Sequence, residues 1–392
     1  MDLIKNLQMK YPKTIQIPFY LRLLAFVLFI VFLPGPLTAQ DTHFSQFYAN
    51  RIFLNPAFAG LEEGLTLTAI TRTQWYTVDT GFKTVGISVE KRENVSDAFA
   101  FGIGLEAYSS DEGLSRYQQQ SFSFTLAPML ATGLNSSLHA GFKLRYYRQR
   151  IDGNSLVFSD QLDPIFGNIY GTTGLPDFQG ISFTDFDFGV LWRFAGNTKV
   201  SGRTASSVRG VIGASVRGGF QFLSNGGDVG PEYSFYRISN ARLPSTLILH
   251  AGLDIPITFL EGPGRDITLS PNFRYETRED LNLFTGGLYF LYNGYYFGAF
   301  MQSQSFLPSN TLDTHSLILI VGSYIPTRKN GNQVTQKLFL GISGSFDATG
   351  LGTRAGGIWE AAVRYNFSAV PGFFSGKKRR NNSRIFKCKS FF

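Results

Sequence analysis

Leu138-His139-Ala140-Gly141-Phe142-Lys143-Leu144-Arg145-Tyr146-Tyr147 is the stretch that decides the fold. Its apolar residues fall at every second position, with histidine, glycine, lysine and arginine between them. A period of two places all the apolar side chains on one face of a β-strand and all the polar ones on the other. The same pattern recurs along the chain. Leu65, Leu67 and Ala69 alternate with threonines, and Val85, Ile87 and Val89 with Thr84, Gly86, Ser88 and Glu90. Leu247 to Ile255 and Trp359 to Phe367 repeat it. A soluble sandwich would also alternate, so three further features carry the assignment. The segments run longer than the usual five or six residues of globular strands. They are many, with no helical pattern between them. The 39 phenylalanines and 18 tyrosines cluster at strand ends, as aromatic girdles at membrane interfaces do. Mean hydropathy stays near zero because a polar interior and an apolar exterior cancel.

The pattern predicts an all-β protein: a fourteen-stranded antiparallel β-barrel spanning the bacterial outer membrane. Strands should start near Gly64, Phe82, Phe99, Arg116, Ser137, Ser182, Val208, Ser245, Asp266, Asn282, Gly294, Asp313, Thr335 and Gly357. An even count leaves both termini on one side, expected to be periplasmic. The two longest connections, 153–179 and 223–242, then fall on the outer side, where outer-membrane barrels carry long loops. One periplasmic turn, 196–207, is longer than that rule favours. No later segment could cross a membrane as a helix, so a membrane protein of this sequence must be a closed barrel. The inward faces carry Arg72, Lys143, Arg145, Arg193, Arg217, Arg274 and Arg364 against Glu90, Glu106, Asp185, Asp187, Asp254, Glu276 and Glu360. Such a balance fits either a cross-braced lumen or charges facing internal water.

Residues 1–39 read as a secretion signal: Lys5, Lys10, Lys13 and Arg22 flank or precede the apolar run Leu23–Leu33, too short to span ~30 Å of hydrocarbon. Residues 40–62 follow as an N-terminal segment, 63–368 as the barrel and 369–392 as a basic tail. In 40–62, Phe44, Phe47, Tyr48 and Arg51 have the spacing of one helix face. Asn55 precedes Pro56, and a residue before proline is pushed out of the helical region. A helical turn ending near Leu54 and an extended peptide from Asn55-Pro56-Ala57 are therefore expected. The segment would serve as a short helical plug or a lid at the periplasmic mouth, or pack as an ordinary N-terminal helix.

The net charge of +8 is unevenly distributed. Lys5, Lys10, Lys13 and Arg22 against Asp2 supply three of those charges, and Lys377, Lys378, Arg379, Arg380, Arg384, Lys387 and Lys389 supply seven more, leaving 40–376 at −2. A neutral body with a basic tail is not the footprint of a nucleic-acid binder. Cys388 is the single cysteine, so no internal disulfide can form. Gly350-Leu351-Gly352-Thr353-Arg354-Ala355 matches a dinucleotide fingerprint, but it sits in a hairpin loop without the helix such a site needs. His43, His139, His250 and His315 lack metal-ligand spacing. No catalytic constellation and no cofactor are expected.

Phe44-Ser45-Gln46-Phe47-Tyr48-Ala49-Asn50-Arg51-Ile52-Phe53-Leu54-Asn55-Pro56-Ala57-Phe58-Ala59-Gly60 resembles the opening signature of the PorP/SprF family, outer-membrane proteins of the type IX secretion system of Bacteroidetes. Arg72-Thr73-Gln74-Trp75 resembles its R-x-Q-W, Ser159-Asp160-Gln161 its D-Q loop, and Trp359–Phe367 its last strand. By alternation Arg72 and Gln74 should face the lumen and Trp75 the lipid at the outer interface. Asp160-Gln161 is either a fixed element of the outer loop or an Asx-type turn before Asp163-Pro164. The resemblance implies a non-enzymatic protein among outer-membrane lipids, with periplasmic lipoprotein and ring subunits as partners, and one secreted adhesin with a type IX C-terminal domain. It implies anchoring of the ring complex, support of that cargo's secretion and surface attachment, or both. The tail, through Lys377, Lys378, Arg379, Arg380 and Cys388, would be a periplasmic docking peptide or simply solvated. Two departures stand out: Val216–Phe222 replaces a histidine- and asparagine-rich stretch, and no proline follows Cys388. Asn55-Pro56-Ala57 ahead of fourteen strands also resembles FadL-type channels for hydrophobic small molecules, against which the polar inward faces argue.

Overall fold

Fourteen antiparallel strands close into one barrel in the computed structural model. They are β1 (Leu65–Gln74), β2 (Phe82–Asn94), β3 (Phe99–Glu112), β4 (Tyr117–Ala131), β5 (Ser136–Ile151), β6 (Ile181–Gly196) and β7 (Val208–Leu223). Then come β8 (Thr246–Ile257), β9 (Ile267–Arg278), β10 (Leu281–Tyr292), β11 (Tyr295–Ser303), β12 (His315–Asn330), β13 (Gln333–Asp347) and β14 (Ile358–Phe367). Each pairs with the next, and β14 closes on β1 with Leu65 opposite Phe367 and Gln74 opposite Ile358. Every strand starts within two residues of its expected position. The structure describes residues 44–46, 48–77, 81–113, 117–133, 135–151, 161–163, 165–168, 181–196, 199–200, 203–204, 208–223, 245–257, 267–278, 281–303, 315–330, 333–347 and 356–367. The signal, His43, Phe47, Asp160, the 350–355 fingerprint match and the tail with Lys377, Lys378, Arg379, Arg380 and Cys388 lie outside them.

The faces are sorted opposite to those of a soluble protein. On β5, Leu138, Phe142, Leu144 and Tyr146 are 43–49% exposed, whereas His139, Lys143 and Arg145 are at most 2% exposed. Val85 and Ile87 of β2, Leu319 and Val321 of β12, Leu340 and Ile342 of β13 and Trp359 and Val363 of β14 extend the apolar belt around the outside. A wall of aliphatic and aromatic side chains facing outward is stable only against hydrocarbon. Ile342→Arg, near the middle of β13, is therefore expected to cost about 2–4 kcal/mol in lipid vesicles. Urea unfolding in vesicles checks this; a change below ~0.5 kcal/mol, typical of a water-exposed site, would contradict the lipid-facing assignment.

A hairpin turn and a bulge show local chemistry at work. Asn293 and Gly294, with φ of 49° and 87°, turn β10 into β11 in two residues. Only asparagine and glycine tolerate that conformation readily, and its twist matches the strands. In β7 the pairing with β6 shifts between Val216 and Phe220, and Gly218 takes φ of 68°. Its amide donates to Asp187 Oδ1 at 2.9 Å, which keeps the interrupted ladder satisfied. The departure from the family pattern at Val216–Phe222 thus coincides with a bulge.

Three expectations need correction. The helix predicted over the aromatic face shrinks to α1 (Arg51–Leu54), with bends at Ser45 and Gln46 and turns and a bend over Tyr48–Asn50 ahead of it. The backbone groups that a longer helix would pair internally are taken by side chains of the wall, as described below. Asn55 is extended (φ −153°, ψ 121°) as expected, but Pro56–Phe58 forms a 3₁₀ turn rather than an extended peptide, with Asn55 Oδ1 accepting from the Ala57 amide at 2.9 Å. Trp75 lies past the end of β1 with φ of 57°, so strand alternation does not aim it. It packs half-buried, edge-on to Phe82, with ring centres 5.1 Å apart.

Candidate functional site: a peptide segment held inside the barrel

The described residues of 44–61 hold no regular structure beyond α1 and the turn Pro56–Phe58, and nearly all of them are buried. Irregular backbone can be buried only if its N–H and C=O groups find partners. Here the inward-facing side chains supply them. Glu360 of β14 accepts from the amides of Ser45 and Gln46 at 2.7 and 2.9 Å. Arg274 of β9 donates to Phe44 O at 3.0 Å and Arg364 of β14 to Tyr48 O at 3.2 Å. Lys143 of β5 donates to Ile52 O at 2.8 Å. On β7, Arg217 donates to Phe53 O at 3.0 Å, lying over the Phe53 ring, and Ser215 to Leu54 O at 2.8 Å. Glu90 of β2 accepts from Gly60 N at 2.8 Å, and Arg92 donates to Leu61 O at 3.2 Å. The lumen charges are therefore neither free in internal water nor only cross-bracing each other: many cap a peptide.

The segment also reads the wall. Asn55 is fully buried, and its Nδ2 donates to Val190 O and Ala214 O at 3.1 and 3.2 Å. That same nitrogen lies 3.1 Å from His250 Nε2. Gln46 Nε2 donates to Ser343 Oγ at 3.1 Å and Glu360 O at 3.3 Å. Glycines make room for the backbone. A Cβ on Gly102 of β3 would collide with the Ala59 carbonyl, on Gly141 of β5 with the Pro56–Ala57 peptide, and on Gly189 of β6 with the Asn55 amide. These three wall sites face Asn55, Pro56, Ala57, Ala59 and Gly60, where the segment is itself small. The opposite wall is filled by Tyr289, Tyr296, Tyr324 and Phe339, which with Gln46, Tyr48 and Ala49 line a cavity of about 20 Å³. That is room for roughly one water.

Arg51 pairs with Glu62, which also lies 3.8 Å from Arg364. Burial alone would raise the Glu62 carboxyl, but Arg51, Arg364 and Lys337 outweigh it and hold it down at about 2, from an ordinary 4.5. A carboxylate depressed in the folded state contributes stability in full above its unfolded value, and that stability is lost as pH falls through the folded one. The segment should resist pepsin above pH ~4.5 and open as pH approaches about 2. Nicking rates of the native chain divided by those of Glu62→Gln cancel the protease's own profile. A ratio that stays flat from pH 5 to pH 2 would show that the Arg51–Glu62–Arg364 cluster does not latch the segment.

The sequence-named residues divide. Phe44, Ser45, Gln46, Asn55, Pro56, Ala57 and Gly60 come together with Arg72, whose Nε is 3.4 Å from Glu360 Oε1. Gln74 ends β1, half-buried, away from the segment's contacts. Gln161 precedes a small ladder of Leu162–Asp163 with Gly167–Asn168, a sheet separate from the barrel. Glu62 and Asn366, which donates to Glu63 O at 3.1 Å, escaped notice in the sequence. Two acids next to the first strand, the nearer one 11 residues after Arg51, are too common a pattern to single out. Among the described residues no group of histidine, cysteine and acids is placed to hold a metal.

Among solved structures the chain is similar to the CymD monoaromatic hydrocarbon channel, with 11% identity over 86% of this chain and 98% of that one and a TM-score of 0.39. It is similar to a Pseudomonas aeruginosa FadL homologue at 12% identity, covering 80% and 92%, with a TM-score of 0.38. BamA from Haemophilus ducreyi lacking POTRA domains 1–3 gives 9%, 78% and 71%, with a TM-score of 0.38. Nothing about this chain's activity follows from likenesses this weak. No curated protein matches it. A family described as type IX secretion system membrane protein PorP/SprF matches residues 37–365, from ahead of the internal segment through nearly all of the closing strand. The barrel and the peptide it encloses are thus matched as one unit, and the chain belongs to the PorP/SprF family of type IX secretion system membrane proteins.

Proposed function

We propose that the chain is a non-enzymatic outer-membrane platform of the type IX secretion system, its lumen stoppered by residues 44–61. Both termini face the periplasm in this reading. The barrel either anchors the periplasmic lipoprotein ring complex or holds one adhesin-like cargo during secretion and surface attachment. The tail, through Lys377, Lys378, Arg379, Arg380 and Cys388, docks a periplasmic subunit. One observation carries the reading: the inward charges are used on the chain's own peptide, as in the Glu360 clamp on Ser45 and Gln46, instead of lining an open conduit. A barrel filled in this way serves as a platform, not as an open conduit.

The test is a mild-detergent purification of the tagged full chain from its native outer membrane, with each co-purifying protein identified. Ring lipoproteins alone would make it a shared anchor. One large surface protein with a type IX C-terminal domain would make it a cargo-specific partner. Recovery of neither, with a stoichiometric hydrophobic small molecule instead, would replace this reading with a FadL-like channel.

A further inference from the structure

Three of the wall groups that hold residues 44–61, Glu360, Lys143 and Arg364, are themselves held by other wall groups. Glu360 faces Arg72 across the β1–β14 seam at 3.4 Å. Lys143 lies 3.6 Å from Glu106 of β3. Arg364 donates to Tyr324 of β12 at 3.2 Å and lies over the Phe339 ring at 4.7 Å. None of these supports comes from the segment. The bare strips at Gly102, Gly141 and Gly189 are likewise properties of the wall, fixed by sequence. A site whose groups are oriented in advance loses little freedom when its ligand arrives.

The segment, for its part, joins no strand of the barrel. Its contacts are the kind a bound peptide makes: carbonyls capped by Arg274, Arg364, Lys143 and Arg217, amides clamped by Glu360, and one asparagine read by two carbonyls and a histidine. Carbonyl capping is indifferent to side chains. Selectivity comes from the Asn55 node and from the glycine strips, which leave room for only small residues at Ala57, Ala59 and Gly60.

We infer that the lumen is a preformed peptide-binding site, that residues 44–61 are its resident ligand in cis, and that it takes the same class of ligand in trans. That class is a polypeptide terminus with an Asn-Pro-small-aromatic-small-Gly core, entering at the end of the barrel where β1 starts. A second copy of this chain is a poor donor. Only Glu62, Glu63 and Gly64 separate Leu61 from β1, and so few residues reach only about 13 Å. The donor is therefore the free terminus of another polypeptide. This deepens the platform reading by naming a partner class. Its test uses purified protein alone, so its failure is separate from a failure to recover secretion partners.

The experiment uses the full chain with a protease site inserted between Glu63, which is exposed, and Gly64. After cleavage the resident segment is held only by non-covalent contacts. A fluorescent synthetic peptide of residues 44–63 is then titrated in, and binding is read by anisotropy. The expected result is saturable exchange, with peptides carrying Asn55→Ala or Ala57→Trp bound at least tenfold more weakly. Equal binding of a scrambled peptide overturns the selectivity. A resident segment that never exchanges overturns the trans site. Barrel integrity is followed in parallel by heat-modifiable migration. A cleaved barrel that falls open when its segment is washed out overturns preformation.

Discussion

Deleting residues 44–61 from the full chain is expected to convert an electrically silent protein into one that gives discrete conductance steps in planar bilayers. A closed barrel of fourteen strands is wider than the eight-stranded kind whose interior side chains alone fill the bore, and approaches the sixteen strands of open porins. What fills this one is peptide. Phe44, Tyr48, Ile52, Leu54 and Phe58 of the segment are all below 5% exposed inside the wall. Removing them takes away the apolar bulk and frees Arg274, Arg364, Lys143, Arg217 and Glu360 to be hydrated. Water then follows the charges, because desolvated ions in an emptied lumen are costly. Cations and anions are nearly balanced around the bore, so the open pore should discriminate weakly between them. If the deletion variant inserts, keeps its heat-modifiable migration and still fails to conduct, the segment is not what closes the lumen.

Much of this architecture was legible in the sequence because a period of two leaves no latitude. A shift by one residue on β5 would have turned Lys143 and Arg145 into lipid, so the pattern fixed both the strand and its inward face. Thirteen of the fourteen charges assigned to the lumen are buried, Glu276 alone being half-buried. Strand boundaries followed because turns such as Asn293-Gly294 announce themselves. The internal segment was a different matter. The placement of Phe44, Tyr48 and Phe58 is set by the rings they meet, Tyr108 and His250, not by a long helix. A conformation held by side chains on seven strands cannot be read from local sequence, since each partner lies from 30 to 316 residues away from the group it caps. The glycine strips show the same limit. Gly102, Gly141 and Gly189 read as ordinary small inward residues until the backbone they admit is in place.

Glu360→Ala should be the single most damaging substitution in the lumen short of deleting the segment. Glu360 is 2% exposed and has three tasks at once. It accepts from two consecutive amides, Ser45 and Gln46, and it faces the guanidinium of Arg72, directly opposite on β1. Alanine removes both acceptors from buried donors and the counter-charge from a buried arginine. Breaking one side of a buried pair costs about 3–5 kcal/mol, far more than an exposed pair is worth. Urea unfolding in detergent micelles should show that loss, and protease should reach Phe44–Leu54 in the variant under conditions where the native chain resists. Glu360→Gln keeps the shape and one acceptor but turns an NH₂ toward a donor, so it should fall between. Arg72→Met combined with Glu360→Ala is the discriminating case. If the cost is mostly the stranded cation, the double variant recovers part of the loss, as replaced buried pairs commonly do. If the cost is mostly the two amides, the double variant is no better than Glu360→Ala alone, and the clamp on Ser45 and Gln46 is the dominant contact. A native unfolding midpoint in Glu360→Ala would contradict both, and would mean that the seam between first and last strand does not depend on the peptide it encloses.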